Sequence, residues 1–285
     1  MSEMHGTRTL STSLGHRITV FSNDFIGKKI ARVGLYEKES LEYLNALLAR
    51  IDAPVVLDIG ANIGNHALAF ATQAAAVHAF EPLPEVVAVL EHNVRQNDLE
   101  NIHVHRYALS DENSEAVLYQ NRSGNVGGSS FDRGEGDVEE IRVPKRVGDE
   151  VVEELGIDRI DLLKIDVEAH EAYVLIGLIN TLRELRPFIT MEWAGGLTIE
   201  RLRGSEVMRF LEENYTVHVL GTRHERTYWE GERFAWLKRK FTCLFLRPYP
   251  LLYDFDPTRL YLNLLLVPKG REELLPDFGP AAKTP

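Results

Sequence analysis

The chain has 285 residues, 44% of them apolar and 26% charged, with a formal net charge of -11 from 43 acids against 32 bases. That is enough apolar material for one large domain with a buried core, and the acidic balance argues against a general phosphate-tracking nucleic-acid binder. The lone cysteine, Cys243, excludes an internal disulfide framework and a thiolate metal cage. With no apolar leader at the N-terminus and no run near the roughly 18 to 20 apolar residues of a membrane span, a reducing, cytoplasmic setting is expected.

In chain order, residues 1–54 read as a helical cap or lid that precedes the first clear strand. Val55 to Ile59 is a short apolar run ending at Gly60, the pattern of a buried strand. Asn65 to Gln73 is helix-like, Val77 to Phe80 is a second strand, and Pro84 to Asn97 carries Val87, Leu90 and Val94 at helical spacing. Ile102 to Leu109 is a third strand. Glu115 to Tyr119 and Glu139 to Pro144 are two short strands around the glycine-rich loop Gly124 to Ser130, which is either a flap over a ligand or an exposed hairpin loop. Ile160 to Ile165 is a strand, Glu171 to Leu185 a helix and Phe188 to Glu192 another strand. Thr216 to Leu220 and Tyr261 to Val267 are the last two strands, with an aromatic and basic insert at about 222–255 between them. The main domain is thus 55–268, and residues 269–285, rich in Pro, Gly and charge, read as a flexible tail. Repeated strand–helix–strand units imply a mostly parallel sheet with helices on both faces.

Chemistry concentrates where the first strand turns into a helix, at Asp58-Ile59-Gly60-Ala61-Asn62-Ile63-Gly64 followed by Asn65 and His66. Glycines there let backbone approach a ligand closely, and the helix start offers unpaired N–H groups. A dinucleotide turn would carry a third glycine and take a pyrophosphate. An aspartate before this two-glycine turn suits a cationic amine instead. Glu81, followed by Pro82, ends the second strand 23 residues after Asp58, where a carboxylate can accept both hydroxyls of a ribose.

Five stretches in order carry a family resemblance: GLYE (Gly34 to Glu37), LDIGANIGNH (Leu57 to His66), AFEPLP (Ala79 to Pro84), YALSD (Tyr107 to Asp111) and LLKIDVEAHE (Leu162 to Glu171). The chain resembles the FkbM family of S-adenosylmethionine-dependent methyltransferases. The resemblance implies an α/β, class I (Rossmann-like) methyltransferase fold with a seven-stranded, mostly parallel sheet. Its implied cofactor site is Asp58, Gly60, Ala61, Asn62, Gly64 and Asn65 at the turn, Glu81 and Pro82 at the ribose, and Leu109, Ser110 and Asp111 beside the adenine. Contact with the methionine end of the cofactor is one use open to Asp166, and Gly34 to Glu37 reads either as a lid, with Tyr36 and Glu37 against cofactor or acceptor, or as a helix start. One departure is visible: the family's usual glycine in the DVEGHE stretch is Ala169 here.

Lys164, Asp166, Glu168 and His170 cluster at the carboxyl end of the fourth parallel strand, the edge where open α/β sheets bind ligands. They are candidate catalytic residues, with His170 the favoured base near neutral pH and Glu192 a second. A divalent cation is a disfavoured alternative, because the acids lack a metal-ligand spacing. Trp193 is either pocket wall or core. Methyl transfer from a sulfonium needs alignment and water exclusion, and acid–base help only when the acceptor must lose a proton. The cluster therefore points to O-methylation of a hydroxyl on a sugar, glycan, lipid-linked glycan or secondary metabolite. An RNA methyltransferase and a non-catalytic cofactor-binding protein are the alternatives. The segment Tyr228 to Tyr253 interleaves aromatics with Arg and Lys; an acceptor pocket, a membrane-surface contact, a homo-oligomer interface and plain core packing compete for it.

Overall fold

A computed structural model of the chain describes residues 6–22, 25–121, 138–193, 196–222, 224–225, 233–245, 248–256 and 261–278. The glycine-rich loop Gly124 to Ser130 and residues 228–232 of the insert lie outside the described residues.

A hairpin, β1 (Thr7–Ser11) and β2 (Arg17–Phe21), opens the chain and is followed by α1 (Phe25–Val33) and α2 (Lys38–Leu48). The N-terminal segment is therefore not purely helical. Then come β3 (Val55–Ile59), α3 (Asn65–Phe70), β4 (Ala76–Phe80), α4 (Pro84–Arg95) and β5 (Ile102–His105). Pro84 occupies the first turn of α4, where its missing N–H costs nothing.

The strand expected over residues 102–109 is divided in two. β4 stops at Phe80, paired with His105, and Pro82 has no N–H to continue the ladder. The chain leaves the main sheet there, and β6 (Ala108–Ser110) pairs instead with β8 (Val138–Val147), which pairs with β7 (Ser114–Asn121).

After α5 (Gly148–Glu154) and β9 (Leu162–Ile165), the single helix expected at 171–185 is two, α6 (Glu171–Gly177) and α7 (Ile179–Leu185). Gly177 lies flush against β6, where an added Cβ would sit 1.9 Å from the Ser110 carbonyl oxygen. The new helix start is held by Asp149, which accepts the N–H groups of Asn180 (3.0 Å) and Thr181 (2.8 Å).

β10 (Phe188–Trp193), α8 (Gly196–Leu202), α9 (Glu206–Asn214), β11 (Tyr215–Thr222), α10 (Ala235–Phe245), β12 (Pro250–Asp254) and β13 (Tyr261–Pro268) complete the chain. The main sheet has eight strands, in the order β12-β11-β13-β10-β9-β3-β4-β5. The count exceeds the seven expected because β12, inside the predicted insert, pairs antiparallel with β11. The five strands from β10 to β5 are parallel to one another, and β13 runs antiparallel between β10 and β11.

Neighbouring residues of each central strand face opposite cores. Val56, Leu162 and Phe188 join the side chains of α2, α3 and α4, while Leu57, Leu163 and Ile189 join those of α5, α6, α7 and α9. Burial on both faces explains why these strands are mostly apolar, with Asp58 of β3 and Lys164 of β9 paired to each other. The segment after β13 is packed rather than a uniformly flexible tail: Glu272–Leu274 forms a 3-10 turn and Phe278 stacks on Tyr43 at 5.6 Å. No helix among the described residues is long and apolar enough to cross a membrane.

Candidate functional site

The turn after β3 is built on left-handed backbone, with φ of 79° at Gly60, 51° at Asn62 and 91° at Gly64. Gly60 is forced by its neighbour as well, since a Cβ there would lie 1.9 Å from the carbonyl oxygen of Asp166. Asn62 tolerates its conformation because a short amide can hydrogen-bond locally; its Oδ1 accepts Ile63 N–H at 2.7 Å. Glu81 leaves β4 directly opposite. Its carboxylate accepts Asn62 N–H and Leu83 N–H, each at 3.0 Å. Burial pushes the Glu81 carboxyl up to about 7, against the pull of these two hydrogen bonds and Lys164. A carboxylate has about four acceptor directions, so Glu81 keeps capacity for hydroxyls in the cleft.

Lys164 lies one strand over, paired in register with Asp58. Its ammonium contacts Asp58 Oδ1 and Asp166 Oδ2, each at 3.3 Å, and donates to Gly60 O at 3.0 Å. Burial by itself would lower the Lys164 pKa; the Asp58, Asp166 and Glu37 carboxylates outweigh it and hold the group well above its ordinary value. Asp58 is 0% exposed, and its oxygens find no hydrogen bond among the described residues beyond this ion pair. Lys164 thus ties the turn to the end of β9.

The N-terminal segment is clamped onto the same turn by two asparagines. The Asn65 amide pairs with the Tyr36 backbone in both directions, at 3.2 and 3.0 Å. Asn93, fully buried on α4, accepts Thr19 N–H at 2.7 Å and donates to Ile63 O at 2.7 Å and Thr19 O at 3.0 Å. Glu37, at φ 51°, caps α2 and lies 3.2 Å from His66 Nε2. Burial would raise the Glu37 carboxyl, but the His66 contact and Lys164 prevail and lower it. Burial and the surrounding carboxylates of Glu37, Asp166, Glu192 and Glu168 push the Tyr36 phenol up.

β9 ends at Ile165, and the chain turns through Glu168 (φ 51°) and Ala169 (φ 71°) into α6. Ala169 adopts a conformation that favours glycine, which accounts physically for the residue usual at this place. Glu171 holds the turn from within: its Oε1 accepts Val167 N–H and Ala169 N–H, both at 3.2 Å. His170 is buried, with Nε2 3.0 Å from Ser110 Oγ and its ring against Tyr173. Glu192 at the end of β10 is half-buried. Burial and then the Asp166, Glu168, Glu171 and Glu37 charges push its carboxyl up to about 8. Glu168 is pushed up to about 7 by burial, Asp166 and Glu171, although its side chain is reached by solvent.

One cleft of about 1200 Å³, including the space at its mouth, brings together Tyr36, Glu37, Gly60, Ala61, Asn62, Asn65, Glu81, Pro82, Leu109, Lys164, Asp166, Glu168, His170 and Glu192. Four candidate residues do not line it. Asp58 lies beneath it against Lys164, Gly64 packs where a Cβ would meet Leu90, Ser110 is buried behind His170, and Asp111 is exposed. Trp193 is buried against Phe255, with ring centroids 5.2 Å apart. The cleft also has an apolar wall of Leu83, Val86, Leu118 and Leu262. These have no chemical signature in sequence, because an apolar wall residue and a core residue read alike. Among the described residues, no group of three or more His, Cys, Asp or Glu side chains is arranged to hold a metal ion.

Residues 58–217 match the model of the Methyltransferase FkbM domain. Over 163 residues the chain is 32% identical to the AMB antimetabolite synthetase AmbE of Pseudomonas aeruginosa, covering 44% of this chain and 8% of that protein. Over 143 residues it is 32% identical to the hexuronic acid methyltransferase AglP of Haloferax volcanii, covering 50% of this chain and 57% of that protein. The matches thus span little more than half of one curated relative and a small part of the other. Among solved structures, the chain is similar to Methyltransferase FkbM from Methylobacillus flagellatus KT, at 15% identity and a TM-score of 0.44, covering 75% of this chain and 43% of that one.

Proposed function

This chain belongs to the FkbM family of S-adenosylmethionine-dependent methyltransferases, and we propose that it moves the cofactor's methyl group to a hydroxyl of a sugar, free or within a glycan. The observation that carries the hydroxyl reading is the position of Glu192, a half-buried carboxyl lining the cleft beside Asp166 and Glu168, which burial and those charges push up to about 8. An alcohol oxygen that attacks a methyl group must shed its proton, and a base titrating near neutral pH can receive it. Glu168, beside it in charge, is the second carboxylate on that wall.

The cofactor's groups fit the residues present. The turn at Gly60 to Asn62 lines the cleft, Glu81 has acceptor capacity for ribose hydroxyls, and Leu83, Val86 and Leu109 suit an adenine face. The bound cofactor supplies an electrophilic methyl on a cationic sulfur. The Glu37 carboxylate, held ionised by His66 and Lys164, and Asp166 in the same cleft favour that positive charge, and the cleft walls can align the acceptor. The AglP name supports a sugar acceptor at the level of a relative.

The test is to incubate the protein with S-adenosylmethionine and a panel of neutral sugars, uronates, phenols and amines, reading the demethylated cofactor and the product. We expect transfer to a sugar hydroxyl, with kcat rising toward a plateau above about pH 8 and falling at least tenfold in Glu192→Gln. Transfer confined to amines, or an unchanged kcat and pH profile in the variant, would overturn the reading.

A further inference from the structure

Two helices at the cleft edge of the sheet lack acids: α1, which reaches the cleft through Ile26, and α10, which follows β11. α1 reads FIGKKIARV, and α10 reads AWLKRKFTCLF. From Arg233 to Tyr253 the chain carries five Lys or Arg and no Asp or Glu, although the whole protein has a net charge of -11. On α1, Ile26 lines the cleft while Phe25, Lys28, Lys29 and Arg32 face solvent. Phe25 is 51% exposed and stands edge-on to Tyr36 at 6.3 Å.

The topology brings α10 to the same side. It lies in the connection from Thr222 at the end of β11 to Pro250 at the start of β12, which pair with each other. Trp193 pairs with Tyr261 at the start of β13, so Thr222, Pro250, Tyr261 and Trp193 mark one edge of the sheet. Glu192, Asp166 and Gly60 stand at that edge. Phe234, Trp236 and Leu237 are 59%, 69% and 51% exposed there, beside the exposed Lys240. Thr242, on the opposite side of the helix, is buried. Solvent-facing Trp and Leu with interspersed basic residues is the composition of helices that lie in a headgroup layer.

We propose that this edge docks on an anionic lipid surface, with α1 and α10 seated in the headgroups and the cleft mouth turned toward the bilayer. Two observations select a lipid surface over a protein partner. The patch opposes the overall charge of the chain, as a surface attracted to an anionic layer would. It also presents exposed aromatic rings with Lys and Arg on two separate elements, Phe25 with Lys28 and Lys29 on α1 and Trp236 with Lys238 and Lys240 on α10. The docking is peripheral, and it stands whether or not the methyl acceptor is itself carried on a lipid.

The test is cosedimentation of the full chain with phosphatidylcholine vesicles and with vesicles containing 30% phosphatidylglycerol, at about 0.1 M salt. We expect binding to the anionic vesicles alone, weakened about fivefold for each basic residue removed in Lys28→Ala and Lys29→Ala, and lost in the double variant Trp236→Ser/Leu237→Ser. These are surface positions, and unchanged thermal midpoints check that the variants fold. No binding to anionic vesicles, or equal binding by the Trp236/Leu237 variant, overturns the proposal. So does a wild-type dimer that the same variant dissociates, which would make the surface a contact between copies.

Discussion

Replacing Lys164 by Met is expected to unfold much of the site. Asp58 is fully buried, its carboxylate has no hydrogen bond among the described residues, and the Lys164 ammonium stands 3.3 Å away. At an effective dielectric of about 20, opposite charges at that separation attract by roughly 5 kcal/mol. Desolvation of the two groups cancels much of this, but removing one partner leaves the other charge buried, at a typical cost of about 3 to 5 kcal/mol. Against a domain stability on the order of 5 to 15 kcal/mol, that is a severe loss. The Asp166 contact adds less, since its side chain is 38% exposed and screened by water. The assay is urea unfolding of Lys164→Met, Asp58→Asn and the double variant. In the double variant the orphaned charge is gone, so its loss is expected to be smaller than the sum of the two single losses by about 2 kcal/mol or more. A Lys164→Met protein within about 1 kcal/mol of wild type, or additive losses, refutes the view that this pair is the local electrostatic link.

Glu192→Gln is expected to change the pH dependence of stability. Its folded pKa of about 8 lies above the ordinary 4.5, so the folded state holds a proton that the unfolded chain releases. That stability is fully present below about pH 4.5 and is lost as pH rises through about 8; thermal midpoints from pH 5 to 9 should fall more steeply for wild type than for the variant, and parallel curves would contradict this. Ala169→Gly should stabilise the chain by roughly 0.5 to 1 kcal/mol, because relief of a left-handed alanine at about 1 to 2 kcal/mol exceeds the added flexibility of glycine; a destabilised variant in urea titration would show that the turn needs the methyl. Glu81→Gln should weaken S-adenosylmethionine binding about tenfold or more by calorimetry, and unchanged affinity would remove Glu81 from the ribose site. Asn65→Ala leaves the Tyr36 backbone pair unmade, and hydrogen exchange of residues near Tyr36 should quicken by about tenfold; unaltered exchange would mean that the clamp lies elsewhere.

The helix boundaries illustrate where local pattern stops being informative. The apolar period runs on from Glu171 to Leu185, yet the helix breaks at Leu178, because β6 crowds Gly177 and a distant carboxylate, Asp149, caps the second half. The strand at 102–109 fails for a similar reason: its partner β4 ends, and only the neighbouring strand's length could reveal that. The eighth strand, β12, sits in a stretch whose aromatic and basic composition says nothing about pairing. The candidate site was more legible. Turn glycines, a strand-end glutamate and a strand-end acid cluster have fixed chemical meanings at fixed places in a parallel sheet, so Gly60, Asn62, Glu81, Asp166 and Glu192 stand in one cleft.

Sequence by itself determined the parallel sheet and the edge at which chemistry gathers, because alternating apolar runs and turn residues are local and must be satisfied wherever the chain goes. Tertiary structure alone decided which polar groups answer one another. Asp58 points to Lys164 rather than to the cleft, His170 is engaged with Ser110, and Asn65 and Asn93 bind the N-terminal segment to the turn. Those pairings join residues dozens of positions apart; a hydrogen bond has a partner only once the fold has brought two buried groups together, and no period or motif along the chain encodes that distance.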